Sequence, residues 1–314
     1  MSARIPGTDL NVFGLCLGGN VFGWTSDESQ SFAVLDAYVE AGGNFIDSAD
    51  SYSAFAPGLV GGESETVLGS WLSARRNREH IVLATKVGRH PSLPGLAPST
   101  IRAALEASLR RLQTDYVDLY YAHADDPETS LEQTLETFDE LVRAGKVRWI
   151  AASNYTAPRL KEALAISDRR GLARYAALQP HYSLVTRSGY EGALQALCVA
   201  EDLACVPYWG LERGFLTGKY RPGGPRIDSP RAEHASKHLD DRGRAILSAL
   251  DKIASARATT VAAVALAWLR SRPAVVAPVA SARTPEQLAE LLPAAELELS
   301  QSEAAQLDAA GAPG

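Results

Sequence analysis

The sequence predicts one α/β domain over residues 1–314, a single (β/α)8 TIM barrel with a short N-terminal hairpin and accessory C-terminal helices. Short apolar runs alternate with longer amphipathic stretches without a large break, which predicts eight strand–helix pairs. The apolar runs are continuous, as in parallel strands that are covered on both faces. A doubly wound sheet is the alternative, but the turn at 18–23, GGNVFG, does not match its Gly-x-Gly-x-x-Gly pattern.

The predicted elements follow one another in strict alternation along the chain. The strands are predicted at residues 15–17, 44–47, 81–86, 117–121, 149–153, 176–180, 204–208 and 275–279. The helices that follow them are predicted at residues 29–41, 64–75, 100–112, 130–144, 158–170, 190–201, 260–271 and 285–292.

Local signals set several helix ends. Capping boxes begin at Ser130, at Thr284 and at Ser300, and the box at Thr284 has proline at the first helical position. Gly145 and Gly171 stand where a residue in the left-handed conformation ends a helix.

Further segments lie outside the eight repeats. Residues 8–13 predict a small hairpin that closes the floor of the barrel. Residues 211–240 form a long connection rich in Gly, Pro and charge, and such loops are usually functional or mobile. Accessory helices are predicted at 242–257 and 300–310.

The charge balance excludes two classes of partner. With 31 Lys plus Arg against 37 Asp plus Glu, the net charge is −6, so neither nucleic acid nor an anionic membrane is expected to bind. The chain has no apolar stretch of about 18 residues and no secretory signal pattern. Three cysteines, Cys16, Cys198 and Cys205, cannot all pair and lack metal-ligand spacing, which favours a reducing cytoplasm.

Polar side chains end several of the predicted strands, and in a barrel these ends meet at the catalytic rim. Asp47 ends the second strand, with Tyr52 five residues later, Lys86 ends the third, and His123 follows the fourth. Other strand ends carry Ser153, Asn154, Gln179 and Tyr208. One such residue alone is more often structural, but four ionisable types on one rim indicate a catalytic site.

The first four residues suit one chemistry. A phenol is a weak acid, and a nearby ammonium stabilises its phenolate, so Lys86 is expected to lower the pKa of Tyr52. A carboxylate, Asp47, fixes the position of the ammonium. Tyr52 can then donate a proton to a carbonyl oxygen, and His123 can hydrogen-bond and orient the same oxygen. Asp, Lys and Tyr are not a usual divalent-metal shell and His123 has no neighbouring histidine, so no metal is predicted.

The motifs that carry these residues resemble the aldo-keto reductase family. The matching segments run from 43 to 52, GNFIDSADSY, with Ser64, Glu65, Leu68 and Gly69; from 115 to 123, DYVDLYYAH; from 145 to 154, GKVRWIAASN; from 214 to 220, GFLTGKY; and from 282 to 288, ARTPEQL. The resemblance covers about residues 8–292. Within the family the chain looks most similar to bacterial oxidoreductases related to potassium-channel β subunits.

The resemblance implies an NADP(H)-dependent carbonyl reductase with a catalytic tetrad of Asp47, Tyr52, Lys86 and His123. It also implies a set of cofactor contacts. Ser153, Asn154 and Gln179 match groups that hold the nicotinamide carboxamide, and Tyr208 matches the aromatic residue that stacks on the ring. Leu211, Arg213 and Lys219 match the loop over the diphosphate, and Ser281, Arg283, Gln287 and Glu290 match positions around the 2′-phosphate and adenine.

The chain departs from the family pattern in three places. Trp209 and Gly210 follow Tyr208 where Ser-Pro is usual, which removes a hydroxyl and adds a large aromatic ring. Ser281 replaces a frequent Gly or Lys, and Leu291 replaces an Asn that usually contacts adenine.

Two functions of different class follow from this pattern. The first is an NADPH-dependent reductase of a small aldehyde or ketone, with Tyr52 as the proton donor. The second is a cofactor-binding regulatory or scaffold subunit with little turnover. The intact tetrad favours the enzyme. A phosphate-binding isomerase would share the fold but would leave Tyr52 and Lys86 unexplained.

Overall fold

A computed structural model describes residues 2–224 and 227–312 of the chain. Its centre is an eight-stranded sheet in which every paired neighbour is parallel, in the order β11-β10-β9-β8-β5-β4-β3-β12. The strands of this sheet are β3 (Cys16–Gly18), β4 (Phe45–Asp47), β5 (Val82–Val87), β8 (Val117–Ala122), β9 (Val147–Ser153), β10 (Tyr175–Gln179), β11 (Ala204–Cys205) and β12 (Val279–Ala280).

Backbone hydrogen bonds join the two ends of the sheet and close the barrel. Cys205 N–H donates to Ala274 O at 2.7 Å, and Val276 N–H donates to Cys205 O at 3.0 Å. The two last strands are shorter than predicted because Pro207 and Pro278 have no N–H to donate to a ladder. The predicted (β/α)8 barrel is therefore confirmed, with irregular pairing at its seventh and eighth strands.

Helices surround the sheet, and their bounds differ from the predicted ones by one to three residues. They are α1 (Glu28–Glu40), α2 (Glu63–Arg75), α3 (Pro98–Leu112), α4 (Leu131–Arg143), α5 (Ala157–Arg170), α6 (Ala193–Ala200), α7 (Ala232–Ser236), α8 (Asp241–Ala256), α9 (Val261–Arg270), α10 (Pro285–Leu291) and α11 (Gln301–Ala310).

Helix caps explain why these segments begin and end where they do. Ser300 and Glu303 form a reciprocal capping box, and Gly145 and Gly171 adopt positive φ of 72° and 64°, as expected for residues that end helices. At Thr284 only half of the box forms. The side chain of Gln287 accepts instead from the N–H of Arg283, which fixes the turn before α10.

Two small hairpins flank the barrel. The N-terminal one pairs β1 (Ser2–Arg4) with β2 (Asn11–Phe13), so it starts earlier than the predicted residues 8–13. The second pairs β6 (Arg89–His90) with β7 (Leu93–Pro94) directly after β5, and the sequence pattern did not predict it. This second hairpin lies beside the rim on which the functional residues converge.

The long connection at 211–240 contains structure of its own. A 3₁₀ segment (Glu212–Thr217) and the short helix α7 lie within it, and α7 was not predicted. Residues 225 and 226 of this connection lie outside the described residues. The connection therefore places charged residues over the rim by a path that periodicity does not reveal.

The described residues contain no single helix that meets the length and hydropathy of a membrane span. The pair α8 and α9 passes that test only when combined, across a bend of 99°. The three cysteines are free and buried.

Candidate active site

Four side chains meet at the carboxyl end of the barrel because three neighbouring strands deliver them. Asp47 is the last residue of β4, and Lys86 lies near the end of β5 beside it. His123 follows β8 directly, and Tyr52 lies in the loop after β4. The structure thus brings together the tetrad that the sequence predicted.

Asp47 and Lys86 form a buried ion pair, with Nζ 2.6 Å from Oδ2 and both side chains 1% exposed. Lys86 Nζ also donates to Ser48 O at 2.7 Å and to the Tyr52 hydroxyl at 2.8 Å. These three acceptors use all three N–H groups of an ammonium. The Tyr52 hydroxyl in turn donates to Asp47 Oδ2 at 2.8 Å.

The acidity of Tyr52 differs from the expected one. Burial and the Asp47 carboxylate raise its pKa well above the usual value, because ionisation would place a second negative charge beside Asp47. The expected net lowering of this pKa is therefore wrong, because burial and Asp47 outweigh the effect of the Lys86 ammonium. The phenol stays protonated, which is the state that a proton donor needs.

His123 is held beside Tyr52 in a neutral state. The two rings lie edge to face with centroids 6.3 Å apart, and Ser51 Oγ is 3.3 Å from His123 Nδ1. Burial, with the charges of Lys86 and Arg89, holds the pKa of His123 well below its usual range. The imidazole of His123 is therefore neutral at neutral pH.

The next group of predicted residues lines the opposite side of the rim in one hydrogen-bonded chain. Gln179 Nε2 donates to Asp47 Oδ1 at 2.9 Å, and Ser153 Oγ donates to Gln179 O at 2.8 Å. Asn154 Nδ2 donates to Ser153 Oγ at 3.0 Å, and the Tyr208 hydroxyl donates to Asn154 Oδ1 at 2.8 Å. This series of hydrogen bonds links Asp47 of the tetrad to the candidate cofactor contacts.

Cationic side chains gather at the other end of the rim, from two loops. Arg213 and Lys219 come from the long connection, and Arg283 precedes α10. Burial and the charges of Arg283 and Arg231 lower the pKa of Lys219, and burial with Arg213 and Arg283 lowers that of Arg231. Among the residues that the structure describes, none of these four side chains forms an ion pair with a carboxylate. The cluster therefore presents a net positive charge, which the Glu290 carboxylate offsets in part at Lys219.

Arg231 is the residue that sequence reasoning missed. It lies in the long connection, where an arginine is expected to be a solvated charge. No helix or strand periodicity indicates on which side of the connection its side chain lies. In the structure its guanidinium lies 5.7 Å from the ring centroid of Trp24, whose ring packs edge to face on Phe55 at 4.8 Å. Only the path of the connection over the rim brings it to the site.

The remaining predicted cofactor contacts belong neither to this hydrogen-bonded series nor to the cationic cluster. Leu211 packs partly buried against the core, and its carbonyl accepts from Gly214 and Leu216 N–H. Ser281 Oγ donates to Asn20 Oδ1 at 2.7 Å, which joins the loop after β3 to the loop after β12. The side chain of Gln287 is used on Arg283 N–H, and Glu290 is exposed.

Four aromatic residues in the loops that follow the strands divide into two groups by burial. Phe22 is fully buried in the core and belongs to the packing of the barrel. Trp24 and Trp209 are partly exposed, and Phe55 is 64% exposed at the rim. These three rings are available to an apolar ligand.

Comparisons with known proteins agree on one family. A model of the aldo/keto reductase family matches residues 14–312. Protein tas of Escherichia coli is 33% identical over 98% of this chain and 96% of its own length. The uncharacterized oxidoreductase YrpG of Bacillus subtilis is 34% identical over 93% of this chain and 90% of its own. Norsolorinic acid reductase of Aspergillus flavus is 31% identical over 95% of this chain and 78% of its own.

Proposed function

The chain belongs to the aldo/keto reductase family of oxidoreductases, and on that premise we propose that it reduces a small aldehyde or ketone with NADPH. The hydrogen-bonded group of Asp47, Tyr52 and Lys86, with the His123 ring packed beside Tyr52, carries this proposal. A protonated phenol in contact with a buried ammonium is an arrangement that delivers a proton to a developing alkoxide. A pure binding or scaffold subunit would not require it.

The residues present fit the proposed cofactor. The side-chain amides of Asn154 and Gln179 and the Ser153 hydroxyl offer the donors and acceptors that a carboxamide needs. The clustered cations Arg213, Lys219, Arg231 and Arg283 match a diphosphate and a 2′-phosphate. When bound, NADPH supplies the hydride that reduces the carbonyl carbon.

The protein's own part in the reaction is orientation and proton supply. His123, neutral and with Nδ1 next to the Ser51 hydroxyl, directs its Nε2–H to the carbonyl oxygen. That oxygen replaces Asp47 as the acceptor of the Tyr52 hydroxyl. Once the phenol has given up its proton, the Lys86 ammonium at 2.8 Å stabilises the phenolate.

Asp47 holds the side chains of the site in place. Its Oδ2 holds Lys86 and Tyr52, and its Oδ1 accepts from Gln179, so one carboxylate positions the proton donor and a candidate cofactor contact. Because the carboxylate is buried, its partners cannot be replaced by water without a large cost.

The aromatic rings at the rim support a proposal for the class of substrate. Trp24, Phe55 and Trp209 favour a carbonyl compound with an apolar or aromatic body. One relative is named a norsolorinic acid reductase, and its name supports a reductive activity for this chain as well. The three buried, free thiols support a reducing, cytoplasmic setting.

The experiment is a screen of aldehydes and ketones that follows the absorbance of NADPH, with NADH in parallel. Steady consumption that depends on the carbonyl compound is the expected result, with NADPH preferred. A protein that binds NADPH tightly but consumes none with any carbonyl would favour the regulatory alternative.

A further inference from the structure

One buried carboxylate near the rim has no part in the proposed chemistry. Glu212 is 3% exposed, and its Oε2 accepts from Ser183 Oγ at 2.6 Å and from Thr186 Oγ1 at 2.9 Å. His181 Nε2 lies 3.2 Å from the same oxygen, and His238 Nε2 lies 3.7 Å from Oε1. We call these five residues the Glu212 clasp.

The clasp joins three separate parts of the chain. His181, Ser183 and Thr186 lie in the loop after β10, whereas His238 lies between α7 and α8. Burial alone would raise the pKa of Glu212, but the hydrogen bonds from His181 and Ser183 outweigh it and lower the pKa. The carboxylate is therefore ionised, and its Oε2 accepts from three side chains while Oε1 faces His238.

On one side the clasp reaches the ring that would stack on nicotinamide. The His181 ring lies against Tyr208, with centroids 5.5 Å apart and planes 24° apart. The edge of Trp209 packs on His181 at 4.9 Å. Glu212 thus fixes the support behind Tyr208, whose hydroxyl is already tied to Asn154.

On the other side the clasp holds a strained backbone segment. Trp209, Glu212 and Arg213 adopt left-handed φ of 55°, 44° and 55°, which non-glycine residues rarely adopt. Arg213 lies over the Trp209 ring at 3.9 Å. Such a conformation persists only when its surroundings impose it, and the buried Glu212 side chain sits in the middle of it.

We propose that Glu212 is a positioning residue that couples the two ends of the cofactor site. Through His181 it sets Tyr208 at the nicotinamide end, and through the strained segment it sets Arg213 at the phosphate end. The inference rests on the proposed function, since it requires that NADPH binds at this rim.

The test is the variant Glu212→Gln, which keeps the shape of the side chain but removes its charge. NADPH binding is titrated by quenching of tryptophan fluorescence, and kcat is measured at saturating NADPH. Loss of charge-assisted contacts predicts a Kd for NADPH that is about 10- to 100-fold higher. Because Tyr52 and His123 are untouched, kcat at saturating NADPH is expected to fall by a smaller factor than the Kd rises.

Asp118→Asn is the matched control. Asp118 is as deeply buried, and it accepts from Arg78, Arg148 and the Leu83 N–H at the opposite end of the barrel. This variant should lose stability without a change in the Kd for NADPH. If Glu212→Gln does not fold, Thr186→Val removes one donor from the clasp and should raise the Kd by a smaller factor.

Two results would overturn the inference. One is a folded Glu212→Gln protein whose Kd for NADPH is within about twofold of the wild type. The other is an equal rise in Kd in Asp118→Asn, which would assign the effect to general destabilisation. Failure of the proposed function looks different, because the wild-type chain itself would then neither bind nor consume NADPH.

Discussion

The hydroxyl of Tyr52 donates a 2.8 Å hydrogen bond to Asp47 Oδ2. The same carboxylate oxygen accepts from Lys86 at 2.6 Å, so Tyr52 and Lys86 share one acceptor atom. This arrangement favours the protonated phenol, which is the state that the proposed proton donor requires.

Tyr52→Phe deletes the proton donor and keeps the ring. General acid catalysis is typically worth about 10²- to 10⁴-fold, so hydride transfer in a single turnover should slow by that factor. NADPH binding should remain near normal. His123→Gln is the comparison: if it is inactive while Tyr52→Phe keeps the wild-type rate, the histidine carries the proton.

Lys86→Met breaks the buried ion pair with Asp47. Removal of one partner leaves an uncompensated buried charge, which typically costs about 3–5 kcal/mol of the free energy of unfolding. Urea unfolding measures the loss, and the double variant Asp47→Asn, Lys86→Met should recover part of it. An unchanged midpoint in Lys86→Met would show that the pair is not buried in solution. The reductase activity should be lost in both.

Arg283→Ala tests the choice between cofactors. A contact with the 2′-phosphate is worth about 10- to 150-fold in affinity, which NADH does not gain. The Kd for NADPH should rise by such a factor and the Kd for NADH should hold. Arg102→Ala, at an exposed ion pair with Glu140, serves as the control. Equal Kd values for both cofactors in the wild type would contradict the prediction.

The buried Asp50 carboxyl should make the stability of the protein depend on pH. Burial and the nearby Glu65 carboxylate raise its pKa to about 7 in the folded protein, whereas the unfolded chain releases this proton near pH 4. Between these values the folded state binds the extra proton, so the free energy of unfolding falls as pH rises, by up to about 4 kcal/mol.

Asp50→Asn removes this pH-dependent contribution to the free energy of unfolding. The unfolding free energy of the variant minus that of the wild type should therefore grow between pH 4 and pH 8, as measured by urea unfolding at each pH. Asp241→Asn, whose side chain is 99% exposed, should give a flat difference. A flat difference for Asp50→Asn as well would refute the assignment.

The thiols should be inert in the folded protein. Burial raises the pKa of Cys198 to about 12 and those of Cys16 and Cys205 well above their usual value, so little thiolate is present at neutral pH. Ellman's reagent should modify them only as fast as the chain unfolds. Rapid modification that NADPH prevents would instead place a cysteine at the site.

The sequence by itself determined the barrel and the content of its rim. Asp47, Lys86 and Gln179 were predicted together because parallel strands of one barrel place their carboxyl ends at one rim, and each residue lies at or next to the end of a strand. Strand periodicity is local, so it was readable without the structure. The proline-shortened seventh and eighth strands were the exception, since their pairing depends on which N–H groups face a neighbour.

Tertiary structure alone decided where the long connection lies. Arg231 and Glu212 look like ordinary loop charges in the sequence, and their roles come from partners that are distant along the chain, such as Trp24 and His181. The same holds for the acidity of Tyr52, which the sequence predicted with the wrong sign. Proximity of Lys86 was inferable from strand order, but the direct hydrogen bond to Asp47 and the depth of burial were not, and these set the pKa.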